Sequence, residues 1–99
     1  LLESVYETCL TWELETAGVS YSRQVVLPIH YRGRTLESGL RLDLLVGNRL
    51  IVELKAVEAL APIHQAQLMT YLKLTGYRLG LLLNFNVVHM KDGIRRVAS

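Results

Sequence analysis

No stretch of this 99-residue chain is apolar for long enough to cross a bilayer. The longest uninterrupted candidates, such as Leu79 to Leu83, are only strand-sized, so no membrane association is expected. A charged-then-apolar leader of the secretory type is also missing. The chain opens on Leu1 rather than a methionine, so a natural start upstream is expected. Cysteine is nearly absent. The single Cys9 can form neither an internal disulfide nor a metal-binding pattern. Its apolar helical spacing suggests a core thiol, for which a reducing cytoplasm is the simplest compartment. Strong charge of one sign is lacking too. Eleven basic against nine acidic residues leave +2, far short of a dedicated nucleic-acid binder, although carboxylates reserved for a metal would subtract from such a total.

What remains is a sequence about half hydrophobic (51%) and one-fifth charged (20%), the balance of a soluble globular fold. Its length suits one domain, 1–99, with a single core and little room for a second module. Internal repeats and low-complexity segments are missing.

Residues 1–17 read as an amphipathic helix. Leu2, Val5, Tyr6, Cys9, Leu10 and Ala17 recur at helical spacing, and Gly18 supplies the stop. Glu3 and Glu7 lie one turn apart beside that stripe. The period then changes. Residues 24–31 are rich in β-branched and aromatic side chains, and Arg32-Gly33-Arg34 supplies a turn. Residues 40–46 and 50–55 are two further strands, apolar on both faces as central strands are. Pro62 to Thr75 is a second helix, with proline in its first turn and Gly76 after its last periodic residue. Residues 77–85 form a buried strand, Lys91-Asp92-Gly93 a turn, and residues 94–97 a short edge strand. This order predicts an α/β fold: an N-terminal helix, three antiparallel strands, a crossover helix and a further strand parallel to the third in a mixed sheet.

Three charged residues sit oddly in these strands. Glu53 and Lys55 are two apart and project from one face. For an isolated E-x-K, a cross-strand salt bridge or a wet strand end is the commoner explanation. Asp43 is equally out of place, because aspartate is depleted from strands and burying its charge is costly unless it is paired or metal-bound. Register decides whether the carboxylates meet. A two-residue Gly47-Asn48 hairpin would set Asp43 opposite Val52 and turn Glu53 away. A three-residue Gly47-Asn48-Arg49 loop pairs Val46 with Leu50 and sets Asp43 opposite Glu53. Local turn preference slightly favours the first, but shared chemistry requires the second, and the three-residue loop is the register expected.

On the second helix, Gln67 and Tyr71 share a face with His64 one turn earlier. Taken alone, these are ordinary exposed polar groups and a half-buried tyrosine. His30 and His89 lack partners at ligand spacing and read as structural or solvent-facing. Arg41 is expected on the Asp43 face, where it would offset carboxylates or touch phosphate.

Together these residues resemble a known pattern. Asp43 followed by Glu53-Leu54-Lys55 is similar to the D…(D/E)xK signature of the PD-(D/E)xK phosphodiesterases. Gln67-Leu68-Met69-Thr70-Tyr71 resembles the Q-x-x-x-Y helix of their exonuclease-like branch. Glu3-Ser4-Val5-Tyr6, Pro62-Ile63-His64 with Ala66-Gln67-Leu68, Tyr71-Leu72-Lys73-Leu74 and Asn84-Phe85-Asn86-Val87 resemble the GxxExxY protein family. The glycine opening that family's motif would fall just before Leu1. Each motif is weak alone, but their order along the whole chain is specific.

The resemblance implies a restriction-endonuclease-like core and a metal-dependent nuclease hydrolysing phosphodiester bonds of DNA. It implies Glu3, Asp43, Glu53 and the Leu54 carbonyl as ligands of Mg2+ or Mn2+, with Glu7 a less favoured alternative to Glu3. Asp43, Glu53, Lys55 and Gln67 would be catalytic, Lys55 orienting or deprotonating the attacking water. Arg41, Gln67 and Tyr71 would bind substrate. The alternative is a catalytically weak or inactive nucleic-acid- or protein-binding module on the same fold. The small size leaves little recognition surface, so a homodimer or an additional protein partner is expected.

Overall fold

The computed structural model describes residues 2–99. The elements are α1 (Leu2–Thr16), β1 (Tyr21–Tyr31), β2 (Arg34–Val46), β3 (Leu50–Lys55), α2 (Pro62–Thr75), β4 (Leu79–Asn84), a 3-10 turn (Met90–Gly93) and β5 (Ile94–Ala98). The five strands form one mixed sheet in the order β1-β2-β3-β4-β5. Among the described residues only β3 and β4, which flank α2, run parallel; the other neighbours are antiparallel. This is the expected order of elements, with the edge strand formed. β1 and β2 are both longer than expected, because residues 21–23 and 34–36 also join the ladder, with residues 37–39 in strand conformation at a register shift opposite Pro28.

One helix covers each face of the sheet. Leu68 and Leu72 of α2 pack with Leu42, Leu45, Ile51, Leu82 and Val97 in the larger core cluster. Gly80 permits this approach, since a β-carbon there would press into the Leu68 side chain. Proline opens α2, and His64 caps it by accepting the Ala61 amide at Nδ1, 2.9 Å. His64 is therefore spent on the helix end rather than grouped with Gln67 and Tyr71. On the other face, Leu10 of α1 packs against Leu44, Val52 and Leu54, and Tyr6 stacks on Phe85 with ring centroids 4.5 Å apart.

The inner stripe of α1 differs from the expected one. Tyr6, Glu7, Leu10, Thr11 and Leu14 face inward, whereas Val5, Cys9 and Ala17 are exposed. Cys9 is thus a surface thiol and not a core one. The apolar residues alone misplace the stripe because its two most buried members, Glu7 and Thr11, are polar. Leu1, the first residue of the expected helix, lies outside the described residues, as does the Leu2 side chain.

Candidate active site

Val46 pairs with Leu50, Leu45 with Ile51 and Leu44 with Val52. The β2–β3 connection is therefore the three-residue loop, with Gly47 and Asn48 both left-handed (φ 60° and 55°). One step beyond Leu44 and Val52, side chains take over from the backbone ladder. The Asp43 amide donates to Glu53 Oε1 at 3.2 Å, and the Leu54 amide donates to Asp43 Oδ2 at 2.8 Å. The two carboxylates meet where the main-chain pairing of the strands ends, each fixed by a backbone donor from the opposite strand.

Electrostatics at this junction are unfavourable for two ionised carboxylates on their own. Burial pushes the Glu53 carboxyl up to about 8 from its usual 4.5, and the neighbouring Asp43 charge adds to the shift. The Asp43 amide and the Lys55 charge pull the other way and do not offset it. The one ion pair among the described residues is Arg23 with Glu7, so no cation sits against the acidic pair. Two convergent hard-oxygen donors without a neutralising partner suit a hard divalent cation. The expected third carboxylate does not join them. Among the described residues, no three histidine, cysteine, aspartate or glutamate side chains come together as a group able to hold a metal. Glu3 is exposed on α1, the helix covering the opposite sheet face, and Glu7 is committed elsewhere.

Glu7 is 6% exposed and accepts bonds from Arg23 (Nε, 3.0 Å) and Gln24 (Nε2, 2.7 Å). Consecutive strand residues normally point to opposite faces. Here both reach one carboxylate because Gln24 has a left-handed φ of 48°. Gln24 lies between the pairs Arg23–Leu44 and Val25–Leu42, facing Asp43 across the ladder. Alternation also breaks on β2, where Leu42 and Leu45 both enter the larger cluster. The placing of Arg41 on the Asp43 face assumed strict alternation, which fails in this stretch; Arg41 is exposed.

Lys55 follows Glu53 on the same face of β3, half-buried and paired in register with Asn84 of β4. From α2, Gln67 Nε2 donates to the Tyr71 hydroxyl at 2.9 Å. Burial raises the Tyr71 hydroxyl above its ordinary pKa, and the charges of Glu53 and Asp43 raise it further. Leu54 keeps its side chain in the core under α1 while Asp43 holds its amide.

Asn84 is a polar residue whose position the chemistry of the motif alone did not indicate. Only 2% exposed, it accepts the amides of Val57 (3.1 Å) and Asn86 (3.3 Å) and donates to the Val57 carbonyl (2.9 Å). With Phe85 N–H bonded to the Lys55 carbonyl, it ties the segment leaving β3 to the end of β4. The available signal was an asparagine ending an apolar strand run.

The crystal structure of SSO0001 superposes on this chain with a TM-score of 0.69 at 17% identity, over 99% of this chain and 50% of that one. The likeness supports the restriction-endonuclease-like fold, and this chain spans half the length of that protein. No curated protein matches the chain. A family model described as the PD-(D/E)XK nuclease superfamily matches residues 1–97. With the mixed sheet, its crossover helix and the Asp43–Glu53 junction in place, the chain belongs to the PD-(D/E)XK nuclease superfamily.

Proposed function

We propose that this protein is a metal-dependent nuclease hydrolysing phosphodiester bonds of DNA. The carrying observation is the Asp43–Glu53 junction, two carboxylates fixed by each other's strands with Glu53 pushed up to about 8. Asp43, Glu53 and the Leu54 carbonyl would hold the ion, leaving other positions to water as Mg2+ or Mn2+ allows. Such an ion supplies positive charge that polarises a phosphodiester and acidifies water.

The chain's own groups do the rest. Lys55, on the Glu53 face, orients the attacking water, whose proton passes to solvent. Gln67, tethered to Tyr71, aims its amide at the substrate phosphate. Hydrolysis joins the water oxygen to phosphorus and breaks one P–O ester bond, and the departing alkoxide takes up a proton from solvent.

A second reading has its own support. Among the described residues no third acid joins the pair, which favours a binding module of weak or no activity on the same fold. Incubation with labelled single- and double-stranded DNA and RNA, in Mg2+, Mn2+ or chelator, separates the two. Metal-dependent cleavage of DNA that is lost in Asp43→Asn supports the nuclease. Retention of DNA without cleavage in any metal supports the binding module.

A further inference from the structure

Beyond Asp43, β2 leaves the sheet. Its pairing with β3 stops near Leu44, so from Arg34 to Leu42 its sole strand neighbour is β1. The result is a two-stranded ribbon whose base packs on the body, where Leu27, Pro28 and His30 line a cavity with Leu74, Thr75 and Tyr77, and whose exposed turn lies beyond it, in a molecule with a longest dimension of 46 Å against 31 and 25 Å for the others. Nearly every residue from Pro28 to Ser38 is exposed.

The composition of this ribbon does not suit a structural arm. Its tip, His30-Tyr31-Arg32-Gly33-Arg34, carries two arginines and an exposed tyrosine, and Glu37 is the one acid between Leu27 and Leu40. The Arg32 guanidinium lies 5.4 Å from the centre of the Tyr31 ring. Neither tip arginine forms an ion pair among the described residues. The turn is a two-residue hairpin, with Arg32 at φ 48° and Gly33 at φ 75°. That turn favours asparagine, aspartate or glycine at its first central position. Arginine there costs stability, and an unfavourable residue kept in a strained position points to function rather than folding.

We infer that the β1–β2 ribbon is a grip for duplex nucleic acid, with Arg32 and Arg34 contacting phosphates. A two-stranded ribbon fits the major groove of a duplex. Gly33 is ten residues from Asp43, so even a fully extended strand at about 3.3 Å per residue keeps the tip within about 33 Å of the acidic pair, and the register shift between Leu27 and Ile29 shortens that reach. One helical turn of duplex is about 34 Å. The ribbon therefore adds recognition surface within about one turn of the point of attack. This deepens the nuclease reading, but the grip itself requires no catalysis.

The test uses Arg32→Asn, Arg34→Gln and the double variant. Asparagine tolerates the left-handed turn, so Arg32→Asn should melt at or above the wild-type temperature. Binding is read by fluorescence anisotropy in EDTA, over a series of KCl concentrations, on a labelled duplex of about 30 base pairs, which is longer than one helical turn. The double variant should weaken binding of the duplex on the order of tenfold and flatten its log-salt slope by about 1.8, the loss of two phosphate contacts.

An unchanged slope, or a wild type that does not bind the duplex, would overturn the grip. So would a change in oligomeric state by light scattering that accounts for the loss, which would make the ribbon a protein–protein contact. A wild type that binds with the expected slope change but never cleaves in Mg2+ or Mn2+ leaves the grip standing and removes the nuclease. Cleavage with no slope change does the reverse.

Discussion

Asp43 and Glu53 exchange places with each other's backbone: Glu53 Oε1 accepts the Asp43 amide, and Asp43 Oδ2 accepts the amide of Leu54, next to Glu53. Neither carboxylate can leave the junction without orphaning a partly buried N–H, at a cost of about 1–3 kcal/mol each. The acids are thus held together by the fold despite their repulsion, and an ion would find them already in place.

That arrangement gives the metal-free protein a pH signature. The Glu53 carboxyl is raised from 4.5 to about 8, so the fold favours its uncharged form. The associated stability is fully present below about 4.5 and is lost as the pH rises through about 8. Melting in EDTA across that window should show a falling contribution from Glu53. Asp43→Asn, which removes the neighbouring charge, should flatten the fall. An identical slope in both proteins would show that the pair is not coupled.

Lys55 tests the chemistry rather than the fold. Lys55→Ala should lose cleavage while retaining its melting temperature within a degree or two, because the ammonium forms no ion pair among the described residues. Lys55→Arg should rescue poorly, since a planar and permanently charged guanidinium does not replace a compact ammonium. Wild-type rates in Lys55→Ala would remove it from the mechanism.

Asn84 should prove costly to replace. Asn84→Ala strips the Val57 amide and carbonyl of their side-chain partners, at about 1–3 kcal/mol for each polar group left buried and unpaired. Chemical denaturation measures the loss. A change under about 0.5 kcal/mol would mean that water replaces the amide.

Cys9 offers a quick check on the position of α1. An exposed thiol should react with a thiol reagent in the native protein, at a rate close to that in denaturant. Protection would restore the core thiol that its apolar spacing suggested.

Much of this was legible in the sequence, for identifiable reasons. Pro62 and Gly76 bracket α2 because one fixes the first turn and the other accepts the left-handed end, φ 83°. The register of β2 on β3 followed from asking that Asp43 and Glu53 converge, against the preference of the Gly47-Asn48 turn. Local rules failed where tertiary contacts override them. Glu7 and Thr11 are buried on α1 because Arg23 and Gln24 bond to the carboxylate and the Thr8 carbonyl takes the threonine hydroxyl. A period of apolar residues contains neither fact. The left-handed Gln24 opposite Asp43 is likewise invisible in a glutamine.

The most direct measurement is melting of wild type and Asp43→Asn in Mg2+, Mn2+ and EDTA at matched ionic strength. An ion that binds the folded pair and not the unfolded chain stabilises by RT ln(1 + [L]/Kd), about 2.7 kcal/mol at a hundredfold excess over Kd. In a domain of this size that is a rise of roughly ten degrees or more. The account predicts such a rise in the wild type and its near disappearance in Asp43→Asn. Equal melting of the wild type with and without metal would contradict a divalent-ion site at Asp43 and Glu53 in the free protein.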